Sequence, residues 1–341
     1  MSSYKSTILI TGGTLGLGYW AAYELACQNP QSKVIIAARG DKDNAASSLN
    51  QLVCRQNKSG NQADTPQIEF KPLDLASNDN VRNFAKIFSS ETYPPISHLL
   101  LNAGVQFRQG KDYRRSADGV EMTFAVNHVG HALLFFLLRP HLTHDARIVI
   151  TSSGTHDPAK KTGMPDPVYE SAELLAHPAD KEGYEINQRG PQRYTSSKLA
   201  NVLFTYALER RLKQMRATGK TNWTVSAFDP GLMPGTGLAR DMGPVVMFLA
   251  MHVLTHLTWL LRIVMRSDNV HLPQESGRNL ASAASKVGIE ATTNSGVYFQ
   301  GAKVVPSSTD SHVEAKQEDI WRWTIGFLAQ NEEEKKSFET F

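Results

Sequence analysis

The sequence predicts a doubly wound α/β fold, a parallel sheet with helices on both faces. Three observations predict it. Continuous Val/Ile/Leu runs alternate with stretches of helical apolar spacing along the chain. The first run ends in a glycine-rich turn that opens a helix. No internal repeat and no linker divides the 341 residues, so one domain spanning 1–341 is expected.

The elements follow in order. "STILIT" is a β-branched run that stops at glycine, and "LGYWAAYELACQ" after it has helical spacing. "KVIIAAR" is a second buried strand, "QIEFKPLDL" a third and "ISHLLLNAG" a fourth. "ARIVITSS" is the fifth, "TVSAFDPG" the sixth, and "GVYFQGAKVV" a late seventh. Runs apolar on both faces belong to a parallel sheet covered twice, here of seven strands. Ligands of such sheets lie beyond the carboxyl ends of the strands, so the residues after each strand are the ones to inspect.

Bulk properties narrow the function. Lys and Arg number 36 against 33 Asp and Glu, a net charge of only +3, and no long run of like charge occurs. Nucleic-acid binding has no electrostatic support. The two cysteines, Cys27 and Cys54, form no CxxC pair and no Cys/His cluster, so neither a disulfide framework nor a structural zinc site is expected. The first apolar run starts at Thr7 and reads as a strand, not a leader, which makes a reducing, cytoplasmic location the expectation.

After the first strand, "TGGTLGLG" supplies Gly12, Thr14, Leu15, Gly16 and Gly18. Glycines here let backbone approach a pyrophosphate at a helix N-terminus, whose N–H groups and dipole favour anions. The second strand ends in Ala38 and Arg39, where an acidic residue would have favoured a free ribose. A guanidinium matches a phosphate, so NADP(H) is the expected cofactor, with nearby Asp41 as an alternative ribose partner. Asp74 after the third strand is placed to accept from an adenine amino group. Asn102, Ala103 and Gly104 after the fourth form a small-residue turn for close cofactor passage.

Ser152 and Ser153 follow the fifth strand. Downstream, "RYTSSKLANVLFTYALERRL" places Tyr194 and Lys198 four residues apart, on one face of a helix. A hydroxyl at a strand end facing a Tyr–Lys pair makes a proton-transfer site. A nearby ammonium and an oxidised nicotinamide are expected to lower the Tyr pKa, so that Tyr194 exchanges a proton with a substrate oxygen near neutral pH. Ser153 would hydrogen-bond that oxygen, and Lys198 would reach the nicotinamide ribose.

"TGGTLGLG", "NAG", "VNHVGH", "VITSS", "YTSSK" and "DPG" stand in the order of the short-chain dehydrogenase/reductase family, which the chain resembles over roughly 5–240 and again near 296–305. The resemblance implies a Rossmann domain and a catalytic set of Asn127, Ser153, Tyr194 and Lys198, with Asn127 holding a water of the proton relay. It implies that Pro230 and Gly231 contact the nicotinamide amide, and that Thr236 contacts phosphate or amide. "AAR", "NHVGH" and "PGLMPGTGL" most resemble the retinol dehydrogenase and light-dependent protochlorophyllide reductase branch, whose members are typically NADPH-dependent. The light-dependent activity does not carry over, because those enzymes use a cysteine near the substrate and no Cys follows Cys54. Fungal tailoring reductases of natural-product pathways are similar too.

Two insertions, 154–190 and 238–275, are expected to cover the substrate site. The first separates Ser153 from Tyr194 far more than is usual in the family, and resembles the extra segment of monomeric carbonyl reductases, so a monomer is favoured over a dimer. The second contains an apolar run, 245–265, read as a lid helix first, a peripheral membrane contact second and a membrane span last. An apolar lid favours a hydrophobic small-molecule substrate. His252 and His256 within it lack an acidic or Cys partner, so no metal is expected. The function expected is an NADP(H)-dependent oxidoreductase acting on a ketone or aldehyde, or on the alcohol in reverse. The alternatives are a non-catalytic NADP-binding sensor and an enone reductase of the same family.

Overall fold

The computed structural model describes residues 4–41, 43–56, 66–107, 114–178, 190–233, 262, 268–285 and 294–340. Eight strands form one sheet: β1 (Ser6–Thr11), β2 (Ser32–Ala38), β3 (Ile68–Pro72), β4 (Ile96–Leu101), β5 (Leu142–Thr151), β6 (Thr224–Asp229), β7 (Val297–Gln300) and β8 (Lys303–Val305). Their order is β3-β2-β1-β4-β5-β6-β7-β8. The order reverses between β1 and β4, the switch point where such sheets open a crevice.

The first seven strands pair in parallel, and β8 pairs antiparallel with β7. The sequence reading of "GVYFQGAKVV" as one seventh strand is corrected here. Gly301 adopts φ +56°, and this left-handed residue turns the chain into a short hairpin that adds an eighth strand.

Side chains alternate across the pleat and build two cores. Ile8 and Ile10, Val34 and Ile36, Leu100 and Val149 face α1 (Gly16–Gln28), α2 (Ala45–Gln56) and a later helix, Pro273–Ser285. Leu9, Ile35, Leu99, Leu101, Ile148 and Ile150 face the other side. That side is covered by α3 (Asn78–Ser90) and by a helical run made of one α-turn (Met122–Phe124), a π-helical segment (Ala125–Val129) and α4 (Gly130–Leu138). The short α5 (Ala172–Ala176) and the long α6 (Gly190–Ala217) join it, and Pro273–Ser285 is α7. Two C-terminal helices, α8 (Glu314–Leu328) and α9 (Glu332–Glu339), complete this face. Among the described residues the one helical run long and apolar enough to cross a membrane is Met122–His141, and 83% of its apolar window is buried inside the fold.

The described part of the 154–190 segment runs along α6 and α8. Val168 N–H donates to Ser196 Oγ (2.9 Å), while the Tyr169 hydroxyl and Ala172 N–H both donate to Asp319 Oδ2 (2.7 Å each). The α6–α8 contact is closed by Trp321, which stacks on Phe204 with ring centroids 5.3 Å apart and carries the Arg211 guanidinium 4.1 Å over its ring.

Glu318 binds both Arg210 and Arg211 at that contact, and the Arg211 hydrogen bond leads in holding its carboxyl down at about 2, from an ordinary 4.5. A carboxyl depressed in the folded state stabilises above its unfolded pKa and loses that contribution as pH falls toward the folded value. Glu318→Gln is therefore expected to be less stable than wild type near neutrality, and the gap is expected to close between about pH 4.5 and about 2. Urea unfolding at stepped pH measures it; a pH-independent gap would remove the ion pairs from the contact.

Candidate active site

The strand ends converge at the switch point. Thr11 closes β1, and Gly12 and Gly16 of the following turn take left-handed backbone, φ +68° and +56°. Gly18 packs so closely that a Cβ there would lie 2.4 Å from the Gly12 carbonyl oxygen. Thr14 and Leu15 lead into α1, whose first turn has no side-chain cap and no acidic residue, so its free N–H groups face the turn. This cradle fits a pyrophosphate, the one group of a dinucleotide that needs both close backbone and positive potential.

Arg39 is exposed immediately beyond β2. Asp41, the alternative ribose partner, is used elsewhere: its carboxylate accepts from Ala45 N–H (2.5 Å) and Ala46 N–H (3.4 Å) at the start of α2. Asp41 thus caps α2, and Arg39 stands exposed at this strand end. Asp74 is half-buried after β3 and accepts from Ala76 N–H (3.0 Å). Asn102 and Ala103 follow β4, with the Asn102 amide donating to the Thr11 carbonyl (2.9 Å).

Asn127, Ser153, Tyr194 and Lys198 come together although up to 71 positions separate them in the chain. Asn127 lies on the π-helical segment and is fully buried, its side chain bonded to Val105 N–H (2.8 Å), Val105 O (3.1 Å) and Ser197 Oγ (3.0 Å). A Cβ on Gly104 would stand 3.4 Å from Asn127 Oδ1 and 3.5 Å from Lys198 Nζ, in van der Waals contact with both, so Gly104 borders the space between them. Lys198 Nζ donates one of its hydrogens to the Thr151 carbonyl (3.0 Å) and lies 5.5 Å from the Tyr194 ring centre.

The two serines divide cleanly. Ser152 is buried and donates to the Lys198 carbonyl (2.8 Å), a link between β5 and α6. Ser153 is half-exposed; its hydroxyl accepts from Thr155 N–H (3.3 Å) and stands close enough to Tyr194 to favour that residue's ionised form.

The titration expectation is corrected in the protein by itself. Burial pushes the Tyr194 hydroxyl up to about 12, against the lowering effect of Ser153. Burial likewise pushes Lys198 down to about 8, while the Asp229 carboxylate works in the opposite direction. Desolvation outweighs the ammonium that the sequence suggested would lower Tyr194.

Sequence reasoning missed Asp229 as a site residue, although it quoted "DPG". It is buried at the end of β6, where Oδ1 accepts from Gly231 N–H (2.9 Å) and Oδ2 from the Asn269 amide (2.8 Å). The carboxylate thereby fixes the Pro230–Gly231 turn, and Pro230 O is held in turn by Ser276 Oγ (2.8 Å). Asn201 was missed as well: its amide donates to the same Thr151 carbonyl (3.0 Å) that takes the lysine. Thr236, His252, His256 and, Arg262 excepted, the 245–265 run lie outside the described residues. Among the described residues no cluster of three metal-ligating side chains occurs.

Comparison with known proteins adds four findings. The sequence profile of the short chain dehydrogenase family matches residues 6–170. The chain is 31% identical over 330 residues to retinol dehydrogenase 14 of Mus musculus, covering 95% of this chain and 87% of that one. It is 30% identical over 261 residues to the short chain dehydrogenase/reductase dpchH of Colletotrichum higginsianum, covering 74% and 58%. In fold it is similar to an NADPH-bound carbonyl reductase from chicken fatty liver, with a TM-score of 0.53, 16% identity, and coverage of 90% and 100%.

Proposed function

Given that this chain belongs to the short chain dehydrogenase family of nicotinamide-dependent oxidoreductases, we propose that it uses NADP(H) to reduce a ketone or aldehyde of a hydrophobic small molecule. The observation that carries the reading is the Ser153–Tyr194–Lys198 group at the strand ends, with the Ser153 hydroxyl beside Tyr194 and the buried Lys198 ammonium 5.5 Å from its ring centre. When bound, the cofactor supplies the hydride. Gly12, Thr14, Leu15, Gly16 and Gly18 would hold its pyrophosphate, and Arg39 its 2′-phosphate. Asp74 would hold the adenine, and Asn102, Ala103, Gly104, Pro230 and Gly231 would line its path.

Ser153 and Tyr194 hold the substrate oxygen, and the Tyr194 hydroxyl gives its proton to that oxygen as charge develops there. Lys198 holds positive charge beside it, and Asn127 with Ser197 keeps the start of α6 in register. A hydroxyl that holds its proton to about 12 is protonated at neutral pH and is therefore able to donate to the substrate oxygen. Reduction is expected to be flat through neutrality and to fall above about pH 8 as Lys198 loses its charge; oxidation is expected to rise with pH. Initial rates in both directions across this range check the signs, and reduction that climbs steadily with pH would remove Tyr194 as the proton donor.

Fluorescence titration with NADPH and NADH, followed by turnover on hydrophobic and polar ketones and aldehydes, tests the whole reading. Faster turnover of small polar carbonyls would overturn the hydrophobic substrate class. NADPH binding without turnover on a broad panel would favour a cofactor sensor. Arg39→Asp is expected to weaken NADPH by roughly 10- to 100-fold, the worth of one charged hydrogen-bonding partner, with little effect on NADH. Equal loss for both cofactors would take Arg39 out of the phosphate site.

The apolar 245–265 run and the mouse relative named for retinol both support an apolar substrate, and the run supports a peripheral membrane contact.

A further inference from the structure

His131 is buried on α4, one helical turn beyond Asn127, and has no role in the chemistry described above. Its Nδ1 lies 3.2 Å from the Asn127 carbonyl oxygen, and its Nε2 lies 2.8 Å from Thr11 Oγ1. We propose that His131 is a positioning residue that ties the Asn127 carbonyl to the turn where the cofactor enters, by donating to the first and accepting from Thr11.

The hydrogen-bond arithmetic fixes the direction of every bond. A carbonyl only accepts, so Nδ1 carries the hydrogen. Burial, first, and the Lys198 charge, second to it in lowering, push the imidazole down to about 4, so the ring is neutral and Nε2 is a bare acceptor. His128 is the other titratable neighbour, and it is neutral too, pushed down to about 3 by burial. The Thr11 hydroxyl must then donate to Nε2, the nearer partner, rather than to the Leu100 carbonyl at 3.4 Å. Its lone pairs are left for two backbone donors, Asn102 N–H (2.8 Å) and Ala103 N–H (3.0 Å). One donor and two acceptor positions are all used.

The result is an unbroken chain from the proton-relay helix to the cofactor turn. It runs from Asn127 O through His131 and Thr11 to the 102–103 turn. It continues through Asn102 Oδ1, which accepts from Thr151 Oγ1 (3.3 Å), to the Thr151 carbonyl that holds Lys198. The first link lies at the end of the π-helical segment, where the N–H of Gly130 bonds back to Ala125 O, one residue further than in an α-helix. His128, on the same helix, bonds instead to Thr324 Oγ1 (2.9 Å) on α8, so burial of a histidine here does not by itself create the link.

The proposal rests on the NADP(H) reading, but its first test does not. In the full-length protein, side-chain nitrogen NMR is expected to show His131 as the Nδ1–H tautomer, with no titration above about pH 5. The Nε2–H tautomer, or a midpoint near 6.5, overturns the proposal whether or not the chain binds a cofactor.

Substitution then separates the two arms. His131→Asn keeps a donor at the Nδ1 position and drops the Thr11 arm; His131→Gln keeps a polar group at the Nε2 position and drops the Asn127 arm. The Asn variant is expected to weaken NADPH binding about 5- to 50-fold, the cost of an unpaired buried hydroxyl. The Gln variant is expected to bind NADPH within about twofold of wild type and to lose turnover about 5- to 50-fold. Parallel losses in both variants would mean packing alone and overturn the proposal. Thr11→Val guards against misfolded histidine variants. It should weaken NADPH as His131→Asn does, and the double variant should fall short of the sum; full additivity refutes the link.

Discussion

Tyr194→Phe is expected to bind NADPH as wild type does and to lose turnover by about 10²- to 10⁴-fold, the range supplied by a positioned acid. The ring sits 7% exposed, packed at the start of α6, and Phe keeps its shape. What it removes is the hydroxyl that meets Ser153. Single-turnover reduction with bound NADPH separates chemistry from binding. Turnover within tenfold of wild type would refute the proton-transfer role, and loss of NADPH binding would mean that the substitution disturbed the cofactor path.

The largest expected effect on stability lies one residue earlier. Arg193 pairs with Glu121 (Nε to Oε1, 3.2 Å), and the two side chains are 6% and 2% exposed. Glu121 also accepts from Thr123 Oγ1 (2.9 Å) and Phe124 N–H (2.8 Å) at the first turn of the helical run that carries Asn127. The pair therefore pins the helix of Asn127 to the helix of Tyr194. Burial nonetheless leads in pushing the Glu121 carboxyl up, against its hydrogen bonds and the arginine. Arg193→Met leaves that carboxylate buried without its counter-charge, a change that costs about 3–5 kcal/mol. Urea unfolding should show this loss and should show part of it recovered in the Arg193→Met, Glu121→Gln double variant. A loss under about 1 kcal/mol would mean that solvent reaches the pair.

Much of the candidate site was legible in the sequence, for a local reason. Gly12, Gly16 and Gly18 answer a demand of the backbone itself, and Tyr194 and Lys198 share a face because helical spacing puts them there. Strand ends mark where ligands lie in a doubly wound sheet, so Ser153, Asn102 and Asp74 could be found by counting strands. What escaped was non-local. Thr11 and His131 stand inside quoted motifs, yet nothing in "TGG" or "VNHVGH" says that 120 positions apart they share a hydrogen bond. Asp229 read as a turn residue, and only its burial beside Gly231 and Asn269 shows it fixing that turn.

The sequence by itself determined the fold class and the strand order along the chain, and it named the residue types of the candidate site, because these follow from periodicity, glycine and local spacing. The tertiary structure decided the choice between neighbours and the balance between opposing forces. It gave Ser152 to the Lys198 carbonyl and left the Ser153 hydroxyl beside Tyr194, and it gave Asp41 to a helix cap. It split the last strand at Gly301. It also reversed the expected shift of Tyr194, since desolvation depends on everything packed around a group and is written at no single position in the chain.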